Sequence, residues 1–201
     1  MSTAKSVRAA VARLPKGKPF TGGRFAELGS RGAIARTLSR LAAEGAILRV
    51  AHGVFIRPRT SRFVGPVVPD LHEVVETIAR GNGETVQVHG AEAARRFGLS
   101  TQVPMAPVFH TSASTRTVRV AGVPVRLVHT SNRRRLQFAG EPTGAAISAL
   151  WYLGRNNVTP ETVAAIEAAL GPDGSARLRS ADMPAWMAAA FAAADREAAH
   201  G

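Results

Sequence analysis

Apolar residues near the start of the chain follow a helical period. Positions about one helical turn apart form a single stripe made of Val7, Val11 and Leu14. This stripe predicts an amphipathic helix over residues 2–14, which the two prolines and the glycine of residues 15–19 bring to an end. A short second helix is predicted over residues 24–28. Gly29 and Ser30 then supply a turn, with the serine as N-cap of the next helix.

The third predicted helix, over residues 31–44, has the clearest division into two faces. At about 100° per residue, its large aliphatic side chains fall within an arc of about 60°. They are Ile34, Leu38 and Leu41. The opposite side carries Gly32, Arg36, Ser39 and Arg40. Gly45 follows where a glycine that ends a helix in the left-handed conformation is expected.

Two β-forming runs, residues 47–50 and 54–57, flank a turn that contains Gly53. This pattern predicts a hairpin whose glycine takes a positive φ and whose valines and isoleucine face the core. Helix, helix, glycine turn, helix and basic hairpin is the element order of a winged helix-turn-helix. Residues 57–69 are rich in Pro, Arg and Ser and are predicted to form a linker.

The remainder of the chain mixes predicted helices and strands. Helices are expected over residues 71–79, 91–97, 143–153, 161–170 and 184–199, and strands over residues 85–89, 108–111, 116–120 and 123–129, the last two paired. The predicted fold class is therefore α+β. A winged helix-turn-helix domain is expected over residues 1–62 and a mixed α+β domain over residues 63–201.

The positive charge of the chain is concentrated in its first third. The formal net charge is +12, and residues 1–65 hold 13 Lys and Arg against two Glu, whereas the remainder is nearly balanced. Concentrated Lys and Arg replace the counterions condensed on phosphate, so this region is expected to bind a polyanion. A basic but merely solvated surface is the alternative.

The third helix and the hairpin supply the candidate DNA contacts. A recognition helix needs a buried stripe on one side and base-reading side chains on the other. Arg36 and Arg40 are candidates for bidentate contacts to guanine, Arg31 for a phosphate or a base, and Ser39 for a weaker contact.

The flanking segments add further candidates. On the hairpin these are Arg49, His52 and Arg57, placed for minor-groove or backbone contacts. Before and within the second helix they are Lys16, Lys18 and Arg24, placed for phosphate contacts.

A second basic run, Arg133, Arg134 and Arg135, follows the last predicted strand. It is interpreted either as a solvated turn or as an added contact to DNA or to an acidic patch on a partner protein.

Motifs for catalysis are not found in the sequence. There is no cysteine, and all lysines precede residue 19, so a phosphate-binding loop would lack its lysine. The six histidines never fall four residues apart, which argues against a helical zinc site. His89 and His110 lie in or beside predicted strands, and a structural role and a ligand role both stay open for them. No catalytic residue, metal or cofactor is expected, and the chain is predicted not to be an enzyme.

The chain also lacks a run of about 18 apolar residues and a secretory signal at its N-terminus. We therefore expect a cytoplasmic protein without a membrane partner.

Two stretches resemble the AbiEi antitoxin family. Residues 34–55 are similar to its winged-helix signature, in which an aliphatic residue, a Leu, an Arg-Leu pair and a Gly are followed by a closing Gly-Val-aromatic. The closing aromatic here is Phe55, where tyrosine is common in the family. Residues 86–104, with Gly-Ala-Glu-Ala-Ala followed by Leu-Ser-Thr-Gln-Val-Pro, are similar to the segment that opens its second domain.

The resemblance implies a type IV antitoxin that acts in phage defence. Such a protein represses its own operon by binding inverted repeats through the winged helix, as a homodimer or a cooperative assembly on DNA. Its C-terminal domain counteracts a nucleotidyltransferase toxin, with or without direct contact.

Two other functions remain open from the residues themselves. One is a one-component transcriptional regulator whose C-terminal domain senses a small molecule. The other is a DNA-processing enzyme that uses the winged helix for targeting.

Overall fold

The computed structural model describes residues 2–61, 65–66 and 69–200. Its fold class is α+β, as predicted. The chain packs as two compact units. The N-terminal unit comprises Met1–Glu84 with Val118–Pro124, and the C-terminal unit comprises Thr85–Thr117 with Val125–Gly201. The predicted domain boundary between residues 62 and 63 lies outside the described residues.

The N-terminal unit follows the predicted order of helices and hairpin, with additions. Its elements are α1 (Thr3–Ala12), β1 (Pro19–Thr21), a first 3₁₀ helix (Gly22–Leu28), α2 (Arg31–Ala43), β2 (Leu48–Ala51), β3 (Val54–Ile56), the short pair β4 (Thr60–Ser61) and β5 (Gly65–Pro66), and α3 (Leu71–Gly81). β1, β3 and β2 form a three-stranded antiparallel sheet in that order. The hairpin prediction is confirmed.

Local capping explains where α1 and α2 begin and where α2 ends. The hydroxyl of Ser2 accepts from the backbone N–H of Lys5, and that of Ser30 accepts from Ala33. Each serine thus satisfies a helix N–H that has no partner within the helix. Gly45 follows α2 with a φ of 72°, a backbone conformation that a side chain would strain.

Two expectations for the N-terminal unit are corrected, and one strand is added that was not predicted. The second helix is a 3₁₀ helix that begins at Gly22, two residues before the predicted start, and its backbone is kinked at Phe25. The segment before it includes a strand, because Phe20 pairs with Phe55 of β3 and their rings lie 6.1 Å apart. The predicted linker over residues 57–69 contains the β4–β5 pair in its described part.

The helices of the N-terminal unit pack against the sheet through one apolar core. It contains residues from α1, the 3₁₀ helix, α2, the strands and the loops beside them, namely Val7, Val11, Leu14, Phe20, Phe25, Ile34, Leu38, Leu41, Ile47 and Phe55. The hairpin residues Val50, Val54 and Ile56 are also buried, as predicted. Burial of these side chains is the main force that holds α2 against the sheet.

The C-terminal unit places helices against a small mixed sheet. Its elements are β6 (Val86–Val88), α4 (Gly90–Arg96), β7 (Val108–Thr111), β8 (Arg116–Val120), β9 (Val123–His129), a second 3₁₀ helix (Arg133–Leu136), α5 (Pro142–Leu153), α6 (Pro160–Arg179) and α7 (Ala185–Ala198). The tip of the β8–β9 hairpin, Val118–Pro124, belongs to the N-terminal unit. The strand order is β6-β7-β9-β8, with β6 antiparallel and β9 parallel to β7.

Most predicted helices and strands of this region are confirmed within a residue or two. The main difference is α6, which continues to Arg179 instead of ending near residue 170, with a break at Gly171 where φ is 70°. Its two halves pack with α5 and α7 around a core that includes Leu150, Ile166, Leu178 and Met187. No helix in the described ranges is long and apolar enough to cross a bilayer.

Candidate nucleic-acid interface

Helix α2 buries one face and exposes the opposite one. Ile34, Leu38 and Leu41 are at most 3% exposed, which confirms the predicted apolar stripe. Thr37 is also buried on this side, and its hydroxyl donates to the backbone oxygen of Ala33 at 2.8 Å. The polar side chains on the outer surface of the helix are Arg31, Arg36, Ser39 and Arg40.

Within the described part of the chain, the arginines of α2 form no ion pair. Arg31, Arg36 and Arg40 have no carboxylate partner among the residues that the structure describes. The Arg36 guanidinium extends back over the first turn, since a Cβ built on Gly32 would lie 3.6 Å from its Nη1 atom. This is the usual direction of a long helical side chain. Because Gly32 has no side chain, the start of α2 leaves space beside this guanidinium.

Arg49 connects the hairpin to α2. Its Nη2 atom donates to the Ser39 hydroxyl at 3.4 Å, and its guanidinium carbon lies 5.2 Å from the centre of the Phe55 ring. Arg49 and Phe55 are cross-strand partners, and a register shift between Arg49 and Ala51 follows in β2. The stacking and the hydrogen bond hold one cation between the outer face of α2 and the hairpin.

The tip of the hairpin exposes His52 next to Gly53. Gly53 has a φ of 71°, which confirms the prediction that this turn needs a left-handed residue. The imidazole of His52 thus lies at the end of the hairpin.

Two of the predicted cations have partners within the N-terminal unit. The Lys18 ammonium forms an ion pair with Glu73 of α3. The Arg57 guanidinium donates to the backbone oxygen of Leu14, and the Arg57 carbonyl accepts from the N–H of Gly17 at 2.9 Å. Arg57 therefore holds the loop that follows α1. Lys16 and Arg24 are exposed and have no ion-pair partner in the described part of the chain.

The arginines of the second basic run have different environments. Arg133 is exposed, Arg134 forms an ion pair with Asp182 at 2.9 Å, and the Arg135 guanidinium carbon lies 4.7 Å from the centre of the Trp151 ring. Asn132 caps this 3₁₀ helix by accepting from the N–H of Arg134. Two of the three side chains thus have contacts inside the C-terminal unit.

The two histidines singled out in the sequence lie together in the C-terminal unit. The ring centres of His89 and His110 are 5.0 Å apart. Burial and then the charge of Arg135 lower the pKa of His89. Burial, followed by the influence of His89 and Arg135, lowers the pKa of His110 to about 4. Both imidazoles are therefore neutral at pH 7. Sequence spacing does not show this proximity, because the residues meet only through the pairing of β6 with β7.

The structure defines an α+β protein whose N-terminal unit exposes an arginine-bearing helix beside a basic hairpin. The chain belongs to a family of unknown function, DUF6088, whose model matches residues 6–177. No curated protein and no solved structure matches the chain significantly.

Proposed function

We propose that the N-terminal unit is a winged helix-turn-helix that binds duplex DNA, with α2 in the major groove and the β2–β3 hairpin as the wing. The observation that carries the proposal is the outer face of α2. Arg36 and Arg40 project there one turn apart, opposite the stripe that anchors the helix in the core, and neither has a carboxylate partner among the described residues. A major groove about 12 Å wide admits such a helix, and arginine is the side chain best suited to guanine O6 and N7.

The other cations of the unit divide between phosphate contact and scaffold. Arg24 and Lys16 are free to contact phosphate, and His52 at the hairpin tip is placed to contact the DNA backbone or the minor groove. Arg49 keeps its guanidinium over the Phe55 ring and has further N–H groups for a phosphate. Lys18 and Arg57, which have partners in the unit, contribute less to binding than the sequence alone predicts.

The first test is binding of the full chain to its own upstream DNA and to scrambled DNA over a range of salt concentrations. Arg36→Ala is expected to weaken binding to the preferred sequence by about 1–3 kcal/mol, or roughly 5- to 150-fold, and to relax the sequence preference. Arg155→Ala, an exposed arginine of the C-terminal unit, is the control with the same change of charge and should bind as the unmodified chain does. Unchanged affinity of Arg36→Ala would refute the assignment of α2.

Arg36→Lys separates base reading from phosphate contact. Lysine keeps the positive charge but lacks the two-pronged geometry of the guanidinium. If Arg36 reads a base, Arg36→Lys loses sequence preference while the salt dependence stays nearly the same. Arg24→Gln is expected to do the reverse, with weaker binding to all sequences and a salt slope reduced by about one.

We further propose that the chain is a cytoplasmic repressor of its own operon and the antitoxin of a type IV system. In this proposal it acts by binding and not by catalysis, and the C-terminal unit counteracts a nucleotidyltransferase toxin. The support is the resemblance over residues 34–55 and 86–104, since the first stretch spans α2 and the hairpin and the second spans β6, α4 and the segment after it.

The antitoxin role is tested by determining which proteins are encoded beside this chain and by expressing the chain together with any nucleotidyltransferase among them. Restored growth of cells that express the toxin, also with the Arg36→Ala variant, would support neutralisation independent of DNA binding. Failure to restore growth, with DNA binding intact, would instead favour a regulator without a toxin. The histidine pair of the C-terminal unit favours, for that outcome, a transcriptional regulator whose C-terminal unit binds a small ligand.

A further inference from the structure

The C-terminal unit contains a polar cluster between its sheet and α5. Gln87 of β6 lies opposite His110 of β7 in the strand register. His89 directly follows β6 as the N-cap of α4, and its ring centre lies 5.0 Å from that of His110. The amide nitrogen of Gln87 points at Gly144 of α5, where a Cβ would lie 2.1 Å from it. A polar surface of the sheet is thus covered by a helix.

Several buried polar atoms in this cluster lack a hydrogen-bond partner. Among the described residues they are Gln87 Nε2, His110 Nδ1, Ser148 Oγ and Trp151 Nε1. Gln87 and Ser148 are each 3% exposed. An unpaired buried polar group costs about 1–3 kcal/mol, so four in one region are a sign of a binding function.

The unused hydrogen-bonding capacity consists mostly of donors. The indole N–H of Trp151 and the amide NH₂ of Gln87 can only donate. The Gln87 carbonyl oxygen already accepts from the N–H of Val88. His89 Nδ1 accepts from the N–H of Ala91 at 3.3 Å. The proton of its neutral ring is therefore on Nε2, which makes that atom a donor too.

The same place holds a cation, Arg135, that forms no ion pair with any carboxylate the structure describes. The guanidinium of Arg135 stacks on Trp151, and its charge acts on both His89 and His110. Nearby carboxylates have other partners, since Asp182 pairs with Arg134 and Glu141 with Arg177. As far as the described residues show, the cluster thus combines a positive charge outside any ion pair with donors that have no partner.

We propose that His89, His110, Arg135 and Trp151 form a binding site for a small ligand that carries a phosphate group. A tetrahedral oxyanion accepts several hydrogen bonds at once, and arginine and imidazolium groups are its usual donors. Tyr152, which is 41% exposed and has its ring 6.2 Å from that of His89, lies where the cluster meets solvent. The rest of the ligand extends past this side chain.

Charge coupling gives the site a characteristic pH dependence. Among the described residues, the charged or titratable groups that act on His110 are His89, which directly follows β6, and Arg135 of the 3₁₀ helix, while Tyr152 of α5 contacts the ring of His89. An anion between them stabilises protonated His110 and so raises its pKa. Binding should therefore become tighter as the pH falls from 7 towards 5.

The test is calorimetric titration of the full chain with inorganic phosphate, with sulfate and with adenosine monophosphate. Sulfate does not titrate between pH 5 and 7, so its pH dependence reports on the protein alone. Arg135→Gln is expected to weaken binding roughly tenfold or more. Arg133→Gln, on the same 3₁₀ helix but exposed, is the control for net charge and should leave binding unchanged. Trp151→Phe keeps an aromatic ring for stacking but removes the N–H donor, and it should weaken binding by a smaller factor.

Two readouts separate a binding site from general charge attraction. In NMR titrations, saturating sulfate should raise the pKa of His110 in the unmodified chain and fail to do so in Arg135→Gln. Tighter binding of adenosine monophosphate than of inorganic phosphate would identify a nucleotide, and equal binding would identify the phosphate group alone as the ligand. No binding of any of the three anions at pH 5, or equal weakening by Arg133→Gln and Arg135→Gln, would overturn the proposal.

Discussion

The close contact of α4 with α5 gives the sharpest stability prediction. Gly90, the first residue of α4, is buried against α5, and a Cβ added there would lie 2.3 Å from Tyr152 Cβ and 2.5 Å from the backbone oxygen of Ser148. Neither atom can move by a change of rotamer, because the first is attached directly to the backbone and the second belongs to it. Gly90→Ala therefore forces the two helices apart.

The magnitude follows from the cost of excess volume in a packed interior. Overpacking typically costs about 1–3 kcal/mol, and contact with rigid backbone atoms puts Gly90→Ala at the upper end, about 3 kcal/mol. At about 2–4 °C per kcal/mol for a chain of this size, the midpoint of unfolding should fall by about 6–12 °C.

Thermal unfolding of Gly90→Ala beside Gly32→Ala is the assay. Gly32 also lies in the first turn of a helix, but the nearest atom to its added Cβ would be Arg36 Nη1 at 3.6 Å. Alanine there should leave the melting temperature unchanged or raise it, because alanine favours helix over glycine by up to about 1 kcal/mol. A melting temperature of Gly90→Ala within about 2 °C of the unmodified chain would refute the close packing of α4 on α5.

Three further predictions concern single side chains. Leu41→Ala should lower the free energy of unfolding by about 2–5 kcal/mol because Leu41 is 1% exposed. Leu48 is 42% exposed, so Leu48→Ala should change that free energy by less than about 0.5 kcal/mol. Similar losses for the two variants in chemical denaturation would contradict the assignment of Leu41 to the core. Gly53→Ala should cost about 1–2 kcal/mol from its positive φ alone, and Gly53→Asn should recover part of that loss, whereas equal stability of all three chains would show that the turn is not left-handed. The Arg179 guanidinium lowers the pKa of Glu167 and that of Asp195 by hydrogen bonds, so their stabilising effect is present above pH 5 and is lost as the pH falls through their lowered pKa values. The stability difference between the unmodified chain and Arg179→Gln should therefore shrink towards pH 3 in urea titrations, and a constant difference would show that the ion pairs contribute nothing.

The helix boundaries of the N-terminal unit could be predicted because they depend on neighbouring residues. The hydroxyl of Ser30 caps α2 three residues along the chain, and Gly45 ends it in the left-handed conformation. The apolar period of α2 likewise separates its buried and exposed faces without any knowledge of the partner elements. The candidate arginines on the outer face follow directly from that period.

The partners of the charged side chains could not be predicted from local pattern. Lys18 and Arg57 are basic residues in a basic segment, which is the pattern expected of residues that contact phosphate. In the structure the Lys18 ammonium instead pairs with Glu73, and the Arg57 guanidinium donates to the Leu14 carbonyl. These partners lie 55 and 43 residues away in the chain. Only the packing of α3 and of the loop after α1 brings them together.

By itself the sequence determined the α+β class, the helix faces and the concentration of positive charge, because these depend on composition and short periods. Tertiary structure decided that Phe20 pairs with Phe55 in a third strand, since strand pairing is a long-range contact that a three-residue segment does not specify. It also decided that His89, His110 and Arg135 meet. The antiparallel register of β6 and β7 brings the histidines together, and the 3₁₀ helix after β9 adds the guanidinium. Because these three residues are far apart in sequence, they form one cluster only after the chain has folded.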